Sequence, residues 1–385
     1  MKKTLNVAVI GGGFMGRAHS NAWLQVGKFF DIPYDIKLKV ICGSKTKLEA
    51  FAERWGYDEV CYDWRDVVTR DDIDIVDVVT PTKDHAEIVI AAAEAGKHVL
   101  CEKPCALTSD ECKAMADAVE KAGVMSFLNH NYRRVPAVAY AKKMIEDGKL
   151  GTIYHWRGAY LQDWIMDPDF PLTWHLDKTK AGGGPLFDLG SHAVDVARFL
   201  IGEVKSVQTM NKTFIKERPL PGEGAATFSK GEHEGEALRG EVTVDDASFS
   251  VVEMENGALG SIEVTRFAPG RKNYNRFEVY GSKGALTFNF ERMNELEFLD
   301  FTDSSTEAGY RVINVSDPQH PYIAAWWPPG HPIGYEHTFT NGFADFLQAM
   351  DRGEKVTPDF RDGEKIIRTL EAMQKSSDEG MRVDV

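Results

Sequence analysis

An apolar run, Leu5 to Ile10, stops at Gly11-Gly12-Gly13-Phe14-Met15-Gly16 and passes into helical spacing from Gly16 to about Val26. A glycine-x-glycine-x-x-glycine string alone constrains little. Between a buried strand and a helix it constrains a great deal. The first glycine permits the tight turn and the second lets the main chain approach a pyrophosphate. The helix end then offers N–H groups and a positive dipole to the anion. That context marks a dinucleotide-binding strand–turn–helix unit. Gly11, Gly13, Phe14, Met15 and Gly16 are candidate nucleotide contacts. The bland alternative is a structural glycine turn.

The pattern continues through the first third. Apolar strands at Leu38–Cys42, Ile73–Thr80, His98–Cys101 and Val124–Leu128 alternate with helices at Lys47–Trp55, His85–Ala95 and Ser109–Ala122. Such alternation predicts a doubly wound parallel sheet covered on both faces. After about residue 150, strands rich in Val, Tyr, Phe and Thr follow one another: 152–162, 204–214, 247–254, 258–265, 277–281 and 285–290. Asn256-Gly257 between two of them is a hairpin signal. Helices are expected at 186–199, 337–350 and 361–377. The fold class is α/β, an N-terminal Rossmann sheet plus a C-terminal α+β domain with an open, largely antiparallel sheet. A chain of 385 residues is too long for one ordinary core. The expected division is 1–128 for the nucleotide and 129–385 for substrate and oligomerisation, with the last helix free to pack back on the first domain. Residues 216–245 read as a polar excursion, a lid or subunit contact.

Composition narrows the partners. The net charge of −14, from 59 acidic against 45 basic residues, argues against polymeric nucleic acid and anionic membranes. Residues 2–10 mimic the start of a signal peptide, but the apolar run is too short, and no 18-residue apolar stretch follows. The five cysteines lack a C-x-x-C pair, which suits a reducing cytoplasm and gives no metal framework. Cys101 and Cys105 flank Lys103, but the five cysteines read as buried strand and helix residues rather than a redox pair. His19 and His98 lack metal-ligand spacing with other ligands.

The end of the second strand reads Val40-Ile41-Cys42-Gly43-Ser44-Lys45. NAD-specific sites usually carry an acid there for the ribose hydroxyls. Asp31 and Asp35 come too early. Ser44 and Lys45 could instead receive a 2′-phosphate, which tilts the nucleotide toward NADP over NAD, although Lys45 also reads as a solvated helix-start lysine.

Two further motifs carry chemistry. Cys101-Glu102-Lys103-Pro104 ends a strand at the carboxyl edge of the sheet, where ligands of such folds bind. Lys103 there can hydrogen-bond a substrate oxygen. In Gly182-Gly183-Gly184-Pro185-Leu186-Phe187-Asp188-Leu189-Gly190-Ser191-His192, Asp188 and His192 stand four apart on one predicted helix face. A histidine titrates near neutrality and can take an alcohol proton. Asp188 can orient the imidazole or the substrate. Alone, a helix cap and a buried core histidine explain both residues equally well.

Together these motifs resemble the Gfo/Idh/MocA oxidoreductases, a family that includes inositol dehydrogenases. The likeness also covers Thr80-Pro81, His85, Pro358-Asp359-Phe360 and Gly363. On Gly11–Ser20, Gly27–Ile36, Asn131–Lys143 and Tyr160–Trp164 the chain is similar to members acting on sugars and anhydrosugars. The resemblance implies a hydride transfer between NAD(P) and a sugar, anhydrosugar or cyclitol carbinol, at a site between the two domains. It carries the catalytic lysine, aspartate and histidine over to Lys103, Asp188 and His192. It adds Thr80, Pro81, His85 and Glu102 to the cofactor set and implies a homodimer or homotetramer. Further substrate candidates are Tyr132 and Arg133, after the fifth strand, then Gln162, Trp164, Trp174 and Tyr335. The competing expectations are a tightly bound nucleotide cycling during glycoside oxidation and elimination, and a non-catalytic nucleotide sensor.

Overall fold

The computed structural model describes residues 2–44, 48–222 and 238–385. They fall into two compact units, Met1–Val135 with Tyr322–Ile367, and Pro136–Pro321 with Arg368–Val385. The division differs from a single cut after residue 128. The helix Tyr335–Arg352 belongs to the first unit because Phe339, Phe343, Phe346 and Leu347 form one apolar stripe. They enter the core built around Trp23, Val26 and Phe127. The last helix, Phe360–Glu379, is shared by the two units, changing over at Arg368.

The first unit is built on β1 (Lys3–Ile10), α1 (Phe14–Phe29), β2 (Tyr34–Cys42), α2 (Leu48–Trp55), β3 (Glu59–Cys61), α3 (Trp64–Val68), β4 (Ile75–Val78), α4 (His85–Glu94), β5 (His98–Glu102), α5 (Ser109–Ala122) and β6 (Ser126–Asn129). The strands form one parallel sheet in the order β3-β2-β1-β4-β5-β6. Strand order reverses between β1 and β4, which opens a crevice at their carboxyl ends. The expected strands and helices are present here. β3 and α3 were not anticipated, being three and five residues long with no room for a periodic signal. Asp35 lies inside β2, near its amino end.

The second unit opens with α6 (Pro136–Glu146), β7 (Ile153–Leu161), α7 (Lys178–Ala181), α8 (Pro185–Asp188) and α9 (Gly190–Leu200). There follow β8 (Val204–Lys212), β9 (Glu217–Pro219), β10 (Arg239–Glu241), β11 (Ala247–Met254), β12 (Leu259–Thr265), β13 (Tyr274–Gly281), β14 (Gly284–Asn289), β15 (Glu295–Asp300), β16 (Arg311–Asn314) and β17 (Val383–Asp384). Nine strands make a mixed sheet ordered β16-β15-β14-β13-β7-β12-β11-β8-β17. All neighbours are antiparallel except β7 and β12. Asn256-Gly257 makes the expected hairpin turn, with Gly257 at φ 86°. The polar excursion contains a small antiparallel ribbon, β9 with β10; its middle, 223–237, lies outside the described residues. The single helix expected over 186–199 is two, because Leu189 interrupts it between α8 and α9. Among the described residues no helix is long and apolar enough to cross a membrane.

Candidate active site

In the first unit the site begins at the crevice between β1 and β4. Gly11 adopts φ +126°, and a Cβ there would lie 2.7 Å from the Val79 carbonyl oxygen. A Cβ on Gly16 would lie 2.2 Å from the Gly11 carbonyl oxygen. Both glycines are demanded by the turn itself. Gly13 is different, since a Cβ there would meet nothing within 4 Å. It caps α1 without a side-chain hydrogen bond, and no acid stands in the first turn. The N–H end of a 16-residue helix thus faces an open cradle with no carboxylate competing for it. Across the crevice, the buried Thr80 hydroxyl has no hydrogen-bond partner in the protein. An open glycine, an uncapped helix end and an orphaned hydroxyl fit a bound dinucleotide.

The remaining residues of this half sort into contact and support. Phe14 is exposed and stacks against Tyr335 at 6.3 Å between ring centres. Met15 and Pro81 are half-buried, and Ser44 is exposed just beyond β2. Gly11 N–H donates to the Cys42 carbonyl at 2.8 Å, so the end of β2 abuts the glycine turn. Lys45 lies outside the described residues. His85 is buried, its two ring nitrogens facing the carbonyls of Thr80 and Pro104, each at 2.9 Å. Burial lowers its pKa, with those carbonyls pulling the other way. It therefore ties together the loops after β4 and β5 rather than facing a nucleotide. Glu102 is also buried. Its Oε1 accepts from Asn129 and faces the His19 ring, and its Oε2 accepts from the Lys103 N–H. Lys103 is half-buried at the carboxyl end of β5. Tyr132 and Arg133 are buried in the short turn after β6. Tyr335, expected among the substrate contacts of the later domain, belongs to the first unit, at the glycine turn.

In the second unit, Gly182-Gly183-Gly184 leads into α8 and α9. Gly182 adopts φ +81°, Gly183 lies against the Phe187 ring, and Gly184 is explained by Asp245. A Cβ on Gly184 would sit 2.0 Å from the Asp245 carbonyl oxygen. The Asp245 carboxylate accepts from the Gly184 and Leu186 N–H groups, each at 2.8 Å. Burial pushes this carboxyl up and those two donors pull it back. The clamp sets the segment that carries Asp188 and His192. His192 is buried, its ring 5.8 Å from Tyr160. Leu189, between α8 and α9, keeps a helical backbone at φ −89° and ψ −38°, so Asp188 and His192 stand about one helical turn apart. Asp188 ends α8, and Arg266, a fully buried residue after β12, donates to its carboxylate.

Around this pair lie the other candidates. The Trp164 indole N–H donates to Gln162 at 2.8 Å, and its ring lies 5.1 Å from the Arg266 guanidinium. Gln162 and the Tyr160 hydroxyl both reach Asn273. Trp174 stacks on His175 at 3.8 Å, and His175 lies 5.8 Å from Trp164. Asp163 points to other work, accepting from Lys272 and from the Gly270 N–H. Asp245, Arg266, His175 and Asn273 were not anticipated. Arg266 meets Asp188 across 78 positions of sequence, a separation that no local pattern spans.

Two family models match the chain. Residues 5–130 match the oxidoreductase family with an NAD-binding Rossmann fold, and 138–287 match the GFO/IDH/MocA C-terminal domain. The chain is 44% identical to levoglucosan dehydrogenase of Pseudarthrobacter phenanthrenivorans, covering 100% of this chain and 98% of the relative. A solved levoglucosan dehydrogenase in complex with NADH and levoglucosan is 43% identical with a TM-score of 0.93, over 100% and 99% of the two chains. An oxidoreductase domain protein from Kribbella flavida is 47% identical with a TM-score of 0.93, over 100% of both chains. Full-length likeness, the two domain matches and the parallel nucleotide-binding sheet converge: the chain belongs to the Gfo/Idh/MocA family of NAD-binding oxidoreductases.

Proposed function

We propose that the chain is a dehydrogenase for a ring carbinol of a sugar, anhydrosugar or cyclitol, with Lys103, Asp188 and His192 acting on that carbinol. The observation that carries the substrate class is the second unit's set of Trp164, Trp174, Gln162, Asn273 and Asp188. Indole faces suit the C–H faces of a sugar ring, and the polar groups suit its hydroxyls. Likeness to levoglucosan dehydrogenase along the whole chain supports the same class.

The bound nicotinamide supplies hydride acceptance or donation. The proton work falls to the chain. His192 takes the hydroxyl proton as general base. The Lys103 ammonium donates to the same oxygen and stabilises its developing charge. Asp188, paired with Arg266, accepts from a neighbouring hydroxyl. Relatives solved with NADH favour NAD. The exposed Ser44, with no acid in Val40–Ser44 to repel a 2′-phosphate, admits NADP as well.

A polyol panel that includes levoglucosan and inositols, assayed with NAD+ and NADP+ separately, tests substrate and nucleotide. Lys103→Ala and His192→Ala are each expected to lower kcat at least about 100-fold. Near-normal turnover in both would sink the assigned roles. The working form is a homodimer or homotetramer. Met210, Phe249, Val251 and Leu259 make an exposed apolar stripe on one face of the large sheet, which a second copy would cover. Sedimentation at micromolar concentration should show no monomer. Its place is the cytoplasm, where its five cysteines, none in a disulfide, stay reduced.

A further inference from the structure

Beneath Lys103 the first unit buries a charged cluster that takes no part in the chemistry above. His19, on α1, is fully buried. Its Nδ1 lies 3.0 Å from both Asp77 oxygens on β4; its Nε2 lies 2.8 Å from Glu102 Oε1 on β5 and 3.1 Å from the Asn129 amide nitrogen, which donates at the shorter 2.6 Å to that same Glu102 oxygen. Each carboxylate also accepts from further donors. Asp77 also accepts from the Trp23 indole N–H at 2.8 Å. Glu102 also accepts from Asn129 at 2.6 Å and from the Lys103 N–H at 3.1 Å. A neutral imidazole has one N–H and one lone pair, so either tautomer would set a lone pair against a carboxylate. A ring with both nitrogens protonated satisfies the two sides together.

We infer that His19 is a positioning residue for Lys103, a buried imidazolium that spans Asp77 and Glu102 and so fixes the carboxylate holding the Lys103 peptide. The inference rests on the role proposed for Lys103 above. Burial pulls the His19 imidazole down, but Asp77 and Glu102 more than offset it and raise its pKa to about 9. Burial would raise Glu102, yet His19, Lys103 and Asn129 hold it below its ordinary value. The other groups nearby carry no charge near neutrality. Burial raises the Tyr57 phenol and the Cys101 thiol and lowers the His85 imidazole. Phe339 and Phe343 close the cluster, with ring centres 5.5 and 5.2 Å from His19. One cation against two carboxylates leaves a single buried negative charge, and Lys103 is the cation beside it. Without His19, two carboxylates would face each other unscreened, and Glu102 would no longer be held against the Lys103 N–H.

The test uses the full-length chain with 15N-labelled histidine and three variants, His19→Gln, Asp77→Asn and Lys103→Ala. At pH 8 the wild type should show one histidine with both ring nitrogens protonated, and His19→Gln should lack that signal. In His19→Gln, kcat should fall at least about 30-fold, with sugar KM and NADH affinity within about threefold of wild type, since positioning rather than binding is lost. In Asp77→Asn the His19 titration should move down, and kcat should fall from pH 7 to pH 9 where the wild type holds. A neutral His19 at pH 8 overturns the inference, as does an Asp77→Asn pH profile matching wild type. Wild-type kcat in His19→Gln beside a slow Lys103→Ala overturns positioning while leaving the lysine's role intact. A fast Lys103→Ala removes that role and positioning with it, and the NMR spectrum still decides the charge on His19. If His19→Gln does not fold, the Asp77→Asn titration and pH profile decide.

Discussion

The Asp245 clamp yields a quantitative test of how the catalytic segment is held. Asp245 is 7% exposed, and its two oxygens accept from Gly184 and Leu186 at 2.8 Å each. Asp245→Asn keeps the shape but turns one acceptor into an NH2 facing an N–H donor. One buried N–H then loses its partner, at roughly 1–3 kcal/mol, and the other bond loses its charge assistance. Relief of the burial penalty that raises this carboxyl offsets part of the loss, so the net should be about 2 kcal/mol. Asp245→Ala orphans both donors and should cost about 4 kcal/mol. At roughly 2–4 °C per kcal/mol for a unit of this size, the melting temperature should fall about 6 °C for Asn and about 12 °C for Ala. Differential scanning calorimetry reads this directly. Because Asp245 anchors the start of α8, kcat at 25 °C should fall about tenfold in Asp245→Ala, the scale of a small misplacement of catalytic groups. An Asp245→Ala protein that melts within about 2 °C of wild type, with unchanged kcat, would refute the clamp.

Two further tests address the first unit. Gly13→Ala should leave the melting temperature unchanged, since its Cβ meets nothing, yet weaken NADH binding at least about tenfold by filling the cradle. Gly16→Ala, whose Cβ would fall 2.2 Å from a carbonyl oxygen, should lower both. Fluorescence titration and thermal scans on the same samples separate the two outcomes. Protein stability should also carry the mark of His19, whose pKa rises from 6.5 to about 9 in the folded chain. A raised folded pKa contributes stability that is complete below about pH 6.5 and lost as pH climbs through about 9. Its full size is roughly 3 kcal/mol. Urea melts at pH 6 and pH 10 should differ on that scale in wild type and less in His19→Gln; equal differences in the two would contradict the buried imidazolium.

Legibility in the sequence followed the range of the interactions. Gly11, Gly13 and Gly16 were readable because turn, glycine and helix start lie within six neighbouring positions, and the steric reasons are local. Lys103 was readable because a strand end is local too. The large sheet was recognisable as antiparallel, but β15 and β16, on its edge, were missed. They run through charged residues with few fully buried positions, so the apolar alternation that marks an inner strand is weak. Tyr335 was expected within the 129–385 domain, whereas its place beside Phe14 comes from the stripe of Phe339, Phe343 and Phe346, which packs its helix onto α1.

Short-range patterning by itself determined the α/β class, the nucleotide turn, and the identities of Lys103, Asp188 and His192 as candidates. It left each of those side chains without partners. Tertiary structure alone decided that Asp188 is paired with Arg266, that Asp245 clamps the glycine loop, and that His19 bridges Asp77 and Glu102. The physical reason is common to all three. Each buried charge is tolerated only beside an opposite charge or a set of donors. Chain folding brings those partners in from 58 to 83 residues away, far beyond the reach of any periodicity.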